Sequence, residues 1–174
     1  MKLDDGITPE ASRFYPAGQE FLASTDERFR PVNARVCPDG ALYVADLYHG
    51  IIEHVIFMVP WLAKQIEERG LDKGQDMGRL WRIVAEDRPL NRVAPALSEA
   101  TSADLVTLLD HPNGWHRMIA QRLLVERGDA GTVLSFKAAT APGRLHALWT
   151  LDGLAALTAK HVEAALHDDD WRVR

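Results

Sequence analysis

The spacing of apolar residues changes about halfway along the chain, and this change limits the folds that the sequence can adopt. Before residue 86, short runs typical of β-strands are interrupted by Pro, Asp and Gly. After residue 100, Ala and Leu recur at the three- and four-residue spacing of amphipathic helices. The pattern therefore predicts a β-rich domain over residues 1–88, a linker over 89–98 and a helical domain over 99–174.

The first half carries the pattern of four antiparallel strands with one inserted helix. Pro38, Asp39 and Gly40 predict a tight turn, in which Gly supplies a positive φ. Pro60 at a first helical position and Gly70 as a terminator predict the helix. The expected strands are 31–36, 41–45, 51–55 and 79–84. Together they predict part of a β-propeller, one blade, whose edges need missing blades as partners.

In the second half, apolar residues of the first predicted helix recur 57 positions later, as do arginines. The pairs are Leu105 and Val162, Leu108 and Ala165, Leu109 and Leu166, and Arg117 and Arg174, with Arg144 between the two arginines. Thr101 and Asp104 predict the start of that helix, and Gly128 and Gly153 predict helix ends. The recurrence predicts an α-solenoid of HEAT-like repeats, which we expect to be truncated at the C-terminus because another helix should begin near Arg174.

Charge and composition exclude several classes of function. The formal net charge is −5, and no basic run provides the face that nucleic-acid phosphates require. Cys37 is the single cysteine, so the chain has neither an internal disulfide nor a cysteine-based zinc site. The first ten residues lack the features of a signal peptide, and no apolar run is long enough to predict a membrane span.

Several segments of the first half resemble one bacterial family. They are Glu20 to Asp26, Phe29 to Asn33, Pro38 to Tyr48, Ile52 to His54, and Gly78 to Val84. These segments look like the last propeller blade of the membrane-bound or sorbosone-type dehydrogenases, which are related to quinoprotein glucose dehydrogenases. Many members of that family continue into HEAT repeats and then into a c-type cytochrome domain.

The resemblance implies an oxidoreductase located in the periplasm or cell envelope. It also implies a quinone cofactor similar to PQQ, and haem c on a cytochrome domain outside this chain. No CxxCH haem-attachment motif is present, and the early blades, where such enzymes keep their catalytic base, are absent. We therefore expect no cofactor within this chain, which alone is expected to be inactive, and its catalytic residues are unknown.

Propeller geometry selects a group of candidate contacts for a polar substrate or an anionic quinone. The start of the first predicted strand and the loop after the second lie at the same face of a propeller, where ligands commonly bind. The candidates are Arg30, Asn33, Asp46, Tyr48 and His49. The alternative is structural: Asp46 caps its own loop and Arg30 pairs with it.

Other polar and aromatic residues are interpreted structurally. A metal site from Asp46, His49 and Glu53 is disfavoured because the ligand spacing is loose, and no metal is expected. His111 and His116 are expected to be solvated or capping residues. The tryptophans at 115, 149 and 171 are expected to pack between stacked helices.

Two functions follow from these observations. The first is a fragment of a quinoprotein-like dehydrogenase that oxidises sugars or alcohols and passes electrons to a c-type cytochrome. In it, the helical repeats act as a spacer or docking surface. The alternative is a non-catalytic module for protein–protein interaction, built from a propeller remnant and a helical solenoid.

Overall fold

A computed structural model describes residues 2–3, 9–10, 16 and 18–174. Residues 1, 4–8, 11–15 and 17, which the sequence assigns to the predicted first domain, lie outside this description. In the described residues, the strands are β1 (Lys2–Leu3), β2 (Pro9–Glu10), β3 (Pro31–Val36), β4 (Leu42–Asp46) and β5 (Arg79–Ile83). The helices are α1 (Pro60–Arg69), α2 (Ser102–Thr107), α3 (Gly114–Arg127), α4 (Ala130–Ser135), α5 (Ala141–Gly153) and α6 (Ala159–Leu166). Short 3₁₀ turns lie at Val55–Phe57 and Leu108–Asp110.

The strands form two small sheets. β1 and β2 are antiparallel, with Lys2 opposite Glu10 and Leu3 opposite Pro9. β3, β4 and β5 form an antiparallel sheet in that order. The turn between β3 and β4 is made by Asp39, whose Oδ1 accepts the backbone N–H of Ala41 at 3.0 Å. Asp39 is therefore a turn residue, as the sequence predicts.

The chain divides into two compact units. The first unit comprises Met1–Val32 and Asp46–Arg79, and the second comprises Asn33–Ala45 and Leu80–Arg174. Each unit is thus assembled from two stretches of chain. The domain boundaries expected from the sequence, at 88 and 98, stay predictions.

Helix α1 is the main regular element of the first unit. It begins with Pro60, whose fixed φ and missing N–H suit the first helical position. It ends at Gly70, which has a φ of 58° and donates its N–H to the last turn. The predicted helix is therefore confirmed. Its buried residue is Ile66.

The second unit is built around an apolar core. The fully or nearly fully buried members are Leu105, Val106, Leu109, Ala120, Leu124, Val133 and Leu151. They come from α2, the following 3₁₀ turn, α3, α4 and α5. Thr101 and Asp104 cap α2 reciprocally, and Gly128 ends α3 with a φ of 73°. Both terminus predictions are confirmed.

The predicted propeller blade and HEAT-like solenoid are wrong. The described chain has a small three-stranded antiparallel sheet and six helices, and it is only weakly mixed α/β. The expected third strand at 51–55 is irregular and runs into the 3₁₀ turn Val55–Phe57, which the side chain of His54 caps. Ile51, Ile52, Glu53, His54 and Val55 do not alternate strictly between apolar and polar residues, so their pattern does not specify a strand.

The helices also depart from a regular solenoid. α2 and α4 have six residues each, whereas α3 has 14 and α5 has 13. α2 is short because Leu108–Asp110 tightens into a 3₁₀ turn. Trp149 and Trp171 are exposed, so the expectation that they pack between helices is wrong. Among the helices of the described residues, none is long and apolar enough to cross a membrane.

Candidate functional site

Of the five candidate residues predicted from the sequence, the structure brings three into direct contact. Asp46 ends β4 and is 3% exposed. Its Oδ1 accepts the backbone N–H of Arg30 at 2.8 Å and that of Tyr48 at 2.9 Å. The second of these bonds is the Asx turn that aspartate commonly forms after a strand. Asp46 thereby fixes the conformation of its loop.

The side chains of Arg30 and His49 also bond to the backbone of nearby loops. The Arg30 guanidinium donates to the carbonyl of Gly50 at 3.2 Å. The His49 Nδ1 lies 3.0 Å from the carbonyl oxygen of Leu47. The structural alternative, in which Asp46 caps its own loop, is therefore supported. Arg30 pairs with Asp46 through its backbone N–H, whereas its side chain bonds to Gly50. Asn33 lies on β3 in the second unit and is exposed.

Tyr48 has the most unusual backbone of this group. Its φ is 55°, a left-handed conformation that is costly for a bulky residue. The phenol donates to Asp26 Oδ2 at 2.9 Å, and the Arg79 guanidinium lies 3.7 Å from the ring centroid. Such a cation–π contact is worth about 0.5–2 kcal/mol. The ring is thus held from its edge and its face, which stabilises the strained backbone.

Asp26 and Arg28 complete this network, and sequence reasoning missed both. Two hydrogen bonds hold the pKa of Asp26 below its ordinary value, the larger effect coming from the backbone N–H of Arg28 and the smaller from the phenol of Tyr48. The Arg28 guanidinium donates to the carbonyl of Gly70 at 2.6 Å, at the end of α1. The spacing of Asp26 and Arg28 fits an Asx turn, so a signal for the turn was present. No pattern in the sequence indicates that Asp26 bonds to Tyr48 or that Arg28 bonds to Gly70.

Gly50 allows two backbone segments of the first unit to approach closely. A Cβ added at Gly50 would lie 2.7 Å from the carbonyl oxygen of Leu71 and 2.8 Å from its Cβ. Only glycine fits such an approach without a backbone shift. Together with Asp46 and Tyr48, Gly50 fixes the path of residues 46–50.

This arrangement is suited to holding loops in place. Asp46 and the two arginines direct polar groups at the backbone, and the Tyr48 phenol donates to Asp26. In the part of the chain that the structure describes, no three His, Cys, Asp or Glu side chains are grouped so as to hold a metal ion. The role of the five candidates in binding a substrate or quinone stays a prediction.

A second polar cluster, at the start of α3, belongs to the second unit. His116 is buried, so of the two roles expected for it, solvated or capping, the solvated one is wrong. Its Nε2 lies 3.2 Å from the carbonyl oxygen of Pro38, and its ring centroid lies 4.2 Å from that of His111. The Asn113 amide donates to the carbonyl of Cys37 at 2.9 Å. These contacts fasten the β3–β4 turn to α3.

The surroundings of the His111 imidazole favour its neutral form. Burial, together with the neighbouring His116 and Arg117, lowers the pKa of His111. Its Nδ1 accepts the N–H of Asn113 at 3.0 Å, which agrees with the capping role considered for it. The Arg117 guanidinium donates to the carbonyls of His111 and Pro112 at 2.6 and 2.9 Å. The cluster therefore organises a helix start.

Residues 2–87 match a family described as "Domain of unknown function (DUF7133)". The match covers just under half of the chain, and its description states no activity. No curated protein and no solved structure matches the chain.

Proposed function

We propose that the chain is a non-catalytic docking segment of a quinoprotein-like dehydrogenase. In such an enzyme, two electrons and two protons pass from a sugar or alcohol to the quinone, which becomes a quinol. A c-type cytochrome then accepts the electrons one at a time. In this proposal, the oxidation takes place outside residues 1–174, and this segment helps to hold the acceptor.

One observation carries the non-catalytic part of the proposal. The residues with the best sequence case for substrate contact, Asp46, Tyr48 and Arg30, direct their polar groups at other groups of the protein. A general base or a quinone ligand must instead reach the reacting group within hydrogen-bond distance. A loop organised in this way supports a structural role.

The dehydrogenase part of the proposal rests on the resemblance of residues 20–48 and 78–84 to that family. The docking part is supported by charge. The formal net charge of −5 would attract a basic cytochrome at low ionic strength and accelerate its association.

The proposal is tested with the complete chain of 174 residues. We expect no reduction of an artificial electron acceptor when the chain is mixed with PQQ, calcium and glucose or ethanol. We also expect calorimetric titration with a basic soluble c-type cytochrome to show binding that weakens as salt is added. Oxidation by the chain itself would overturn the non-catalytic assignment, and absence of cytochrome binding would overturn the docking role.

A second candidate is an interaction module that is unrelated to any dehydrogenase. The apolar surface of α5 and α6, where Trp149 and Leu166 are exposed, favours this alternative. It predicts capture of a protein partner that carries no haem. Cytochrome binding separates the two candidates, because only the first requires it.

A further inference from the structure

A cavity of about 720 Å³ lies in the second unit, beside the turn between β3 and β4. Residues from three stretches of chain line it, within 34–40, 85–90 and 112–118. All three stretches belong to the second unit, so the cavity lies within one compact body. Its volume falls within the range of about 300–1,000 Å³ that is usual for small-molecule sites.

Hydrogen bonds to three successive carbonyls hold the walls of this cavity together. The Asn113 amide donates to the carbonyl of Cys37 at 2.9 Å, and Nε2 of His116 lies 3.2 Å from the carbonyl oxygen of Pro38. The backbone N–H of Asn91 donates to the carbonyl of the following turn residue, also at 3.2 Å. The other two stretches are therefore both fastened to the turn, which gives the cavity a defined shape without a ligand.

The lining of the cavity carries an excess of positive charge. Its charged residues are Arg35, Arg88 and Asp39. The Asp39 carboxylate is already paired, because its Oδ2 accepts a hydrogen bond from the Arg82 guanidinium at 2.6 Å. In the part of the chain that the structure describes, the guanidinium groups of Arg35 and Arg88 have neither a hydrogen bond nor an ion pair. Two cations of the lining are thus available to an anion, although the chain as a whole has a net charge of −5.

The remaining lining is mainly apolar and includes one large aromatic ring. Trp115 and Met118 come from α3, Val36 comes from β3, and Leu90 follows β5. The Trp115 indole makes a T-shaped contact with the ring of His116, with 5.1 Å between the two centroids. Indole and thioether groups pack favourably against flat rings, whereas a guanidinium matches the oxygens of a carboxylate or phosphate. This lining suits a ligand that has both features.

We propose that this cavity binds a small aromatic anion, a ligand whose flat ring system carries a carboxylate or a phosphate group. The ring system packs against Trp115 and Met118, and the anionic group pairs with Arg35 and Arg88. Carboxylate and phosphate offer these arginines the same kind of oxygen acceptors, and the experiment below distinguishes them. The inference goes beyond the proposed docking role and does not rest on it, since it involves neither a cytochrome nor a dehydrogenase.

The probes are 2-naphthoate and 2-naphthyl phosphate, each titrated into the complete chain in an isothermal calorimeter. We expect saturable binding of at least one of them, and the tighter probe identifies the preferred anionic group. The neutral 2-naphthylmethanol has the same ring system and should bind at least about tenfold more weakly, because it cannot pair with the arginines. Binding of the anionic probes should weaken as salt is added.

Two matched variants test the role of the arginines. Arg88→Gln should weaken binding of the tighter probe by about tenfold or more, because it removes one of the two cations. The control is Arg92→Gln, since Arg92 is exposed in the same segment and does not line the cavity. Both variants change exposed side chains, so circular dichroism should show an unchanged fold. Trp115→Leu tests the ring contact, and it should weaken binding of the anionic probes while their dependence on salt stays the same.

Three results would overturn the proposal. The first is that neither naphthyl anion binds at millimolar concentration. The second is that the neutral naphthalene binds as tightly as the anions, because the arginines would then contribute nothing. The third is that Arg88→Gln and Arg92→Gln have the same effect on affinity. None of these measurements involves a cytochrome, so failure of this inference and failure of the proposed function are distinguishable.

Discussion

The two units of this chain are stabilised by different kinds of contact. In the second unit, a cluster of seven buried apolar residues joins four consecutive helices. In the described part of the first unit, Ile66 is the buried apolar residue, and the buried Asp46 carboxylate organises the surrounding loop. Burial of a large apolar side chain contributes about 1.5–3 kcal/mol, whereas a hydrogen bond contributes about 1 kcal/mol net. The described part of the first unit therefore has a defined loop geometry with little apolar stabilisation.

The comparison also explains where function is expected. Hydrogen bonds between side chains and backbone fix the direction of a loop without excluding water from a large volume. An apolar core supplies stability but leaves little that is chemically reactive. In this chain, large apolar side chains are also exposed on the helical part, among them Trp149 of α5 and Leu166 of α6.

The largest effect should follow from a cavity in the second unit. Leu124→Ala removes a fully buried side chain from α3 and should lower the free energy of unfolding by about 2–5 kcal/mol. Urea denaturation followed by circular dichroism measures this change. Leu134→Ala is the matched control, because Leu134 is half exposed and should cost far less. Equal losses of unfolding free energy from the two variants would show that the apolar core is not what distinguishes the second unit from the first.

A smaller, local effect should follow from removing the buried carboxylate of the first unit. Asp46→Ala leaves the N–H groups of Arg30 and Tyr48 without this acceptor and should cost about 1–3 kcal/mol. Hydrogen exchange should rise in residues 26–50, while the amides of α3 stay protected. Asp46→Asn keeps an oxygen acceptor at the same place and should retain most of the protection. Loss of α3 protection in Asp46→Ala would contradict the local character of this network.

The sequence predicted those parts of the fold whose causes are local. Pro60 and Gly70 mark α1, and Thr101 with Asp104 marks α2, because caps act within one helical turn. The strand expected at 51–55 failed because this segment, with two apolar residues followed by Glu53 and His54, lacks the strict alternation that identifies a strand. The blade and the solenoid failed because both depend on how elements pack together, which residue spacing does not determine.

The candidate site shows the same division. That Asp46 caps its own loop could be inferred from its position after a strand. The partners of Tyr48 could not, since Asp26 is 22 residues away and Arg79 approaches the ring from a later strand. His116 was misjudged because a histidine beside a helix start usually faces solvent, whereas here it bonds to the carbonyl of Pro38.

A polar contact inside the second unit tests whether hydrogen bonds to a carboxylate also stabilise the unit that has the apolar core. The Asp110 carboxylate accepts the N–H groups of Ala139 and Thr140 at 2.8 and 2.9 Å, beside Gly143. A Cβ at Gly143 would overlap this carboxylate, so Gly143→Ala should displace it and cost about 1–3 kcal/mol. The double variant with Asp110→Ala should cost less than the sum of the single variants, because the overlap is gone. Additive losses in urea denaturation would show that the two residues act independently.

The smallest effect should come from acidification. Burial lowers the pKa of His111 and of His146, with further lowering by His116 and Arg117 at the first and by Arg117 at the second. Each therefore binds a proton less readily when folded than when unfolded. Their contribution is fully present above the ordinary histidine pKa of about 6.5 and is lost as the pH falls below it. The carboxylates titrate in a separate pH range. Burial raises the pKa of Asp110, but hydrogen bonds from Thr140 and Ala139 outweigh it and hold this pKa below its ordinary value. The contribution of Asp110 to stability is therefore lost only below about pH 4. Thermal unfolding between pH 7.5 and 5 should therefore show a gradual loss of stability in the second unit, and replacing both histidines by asparagine should flatten this slope. A slope that persists in the double variant would assign the loss to other groups.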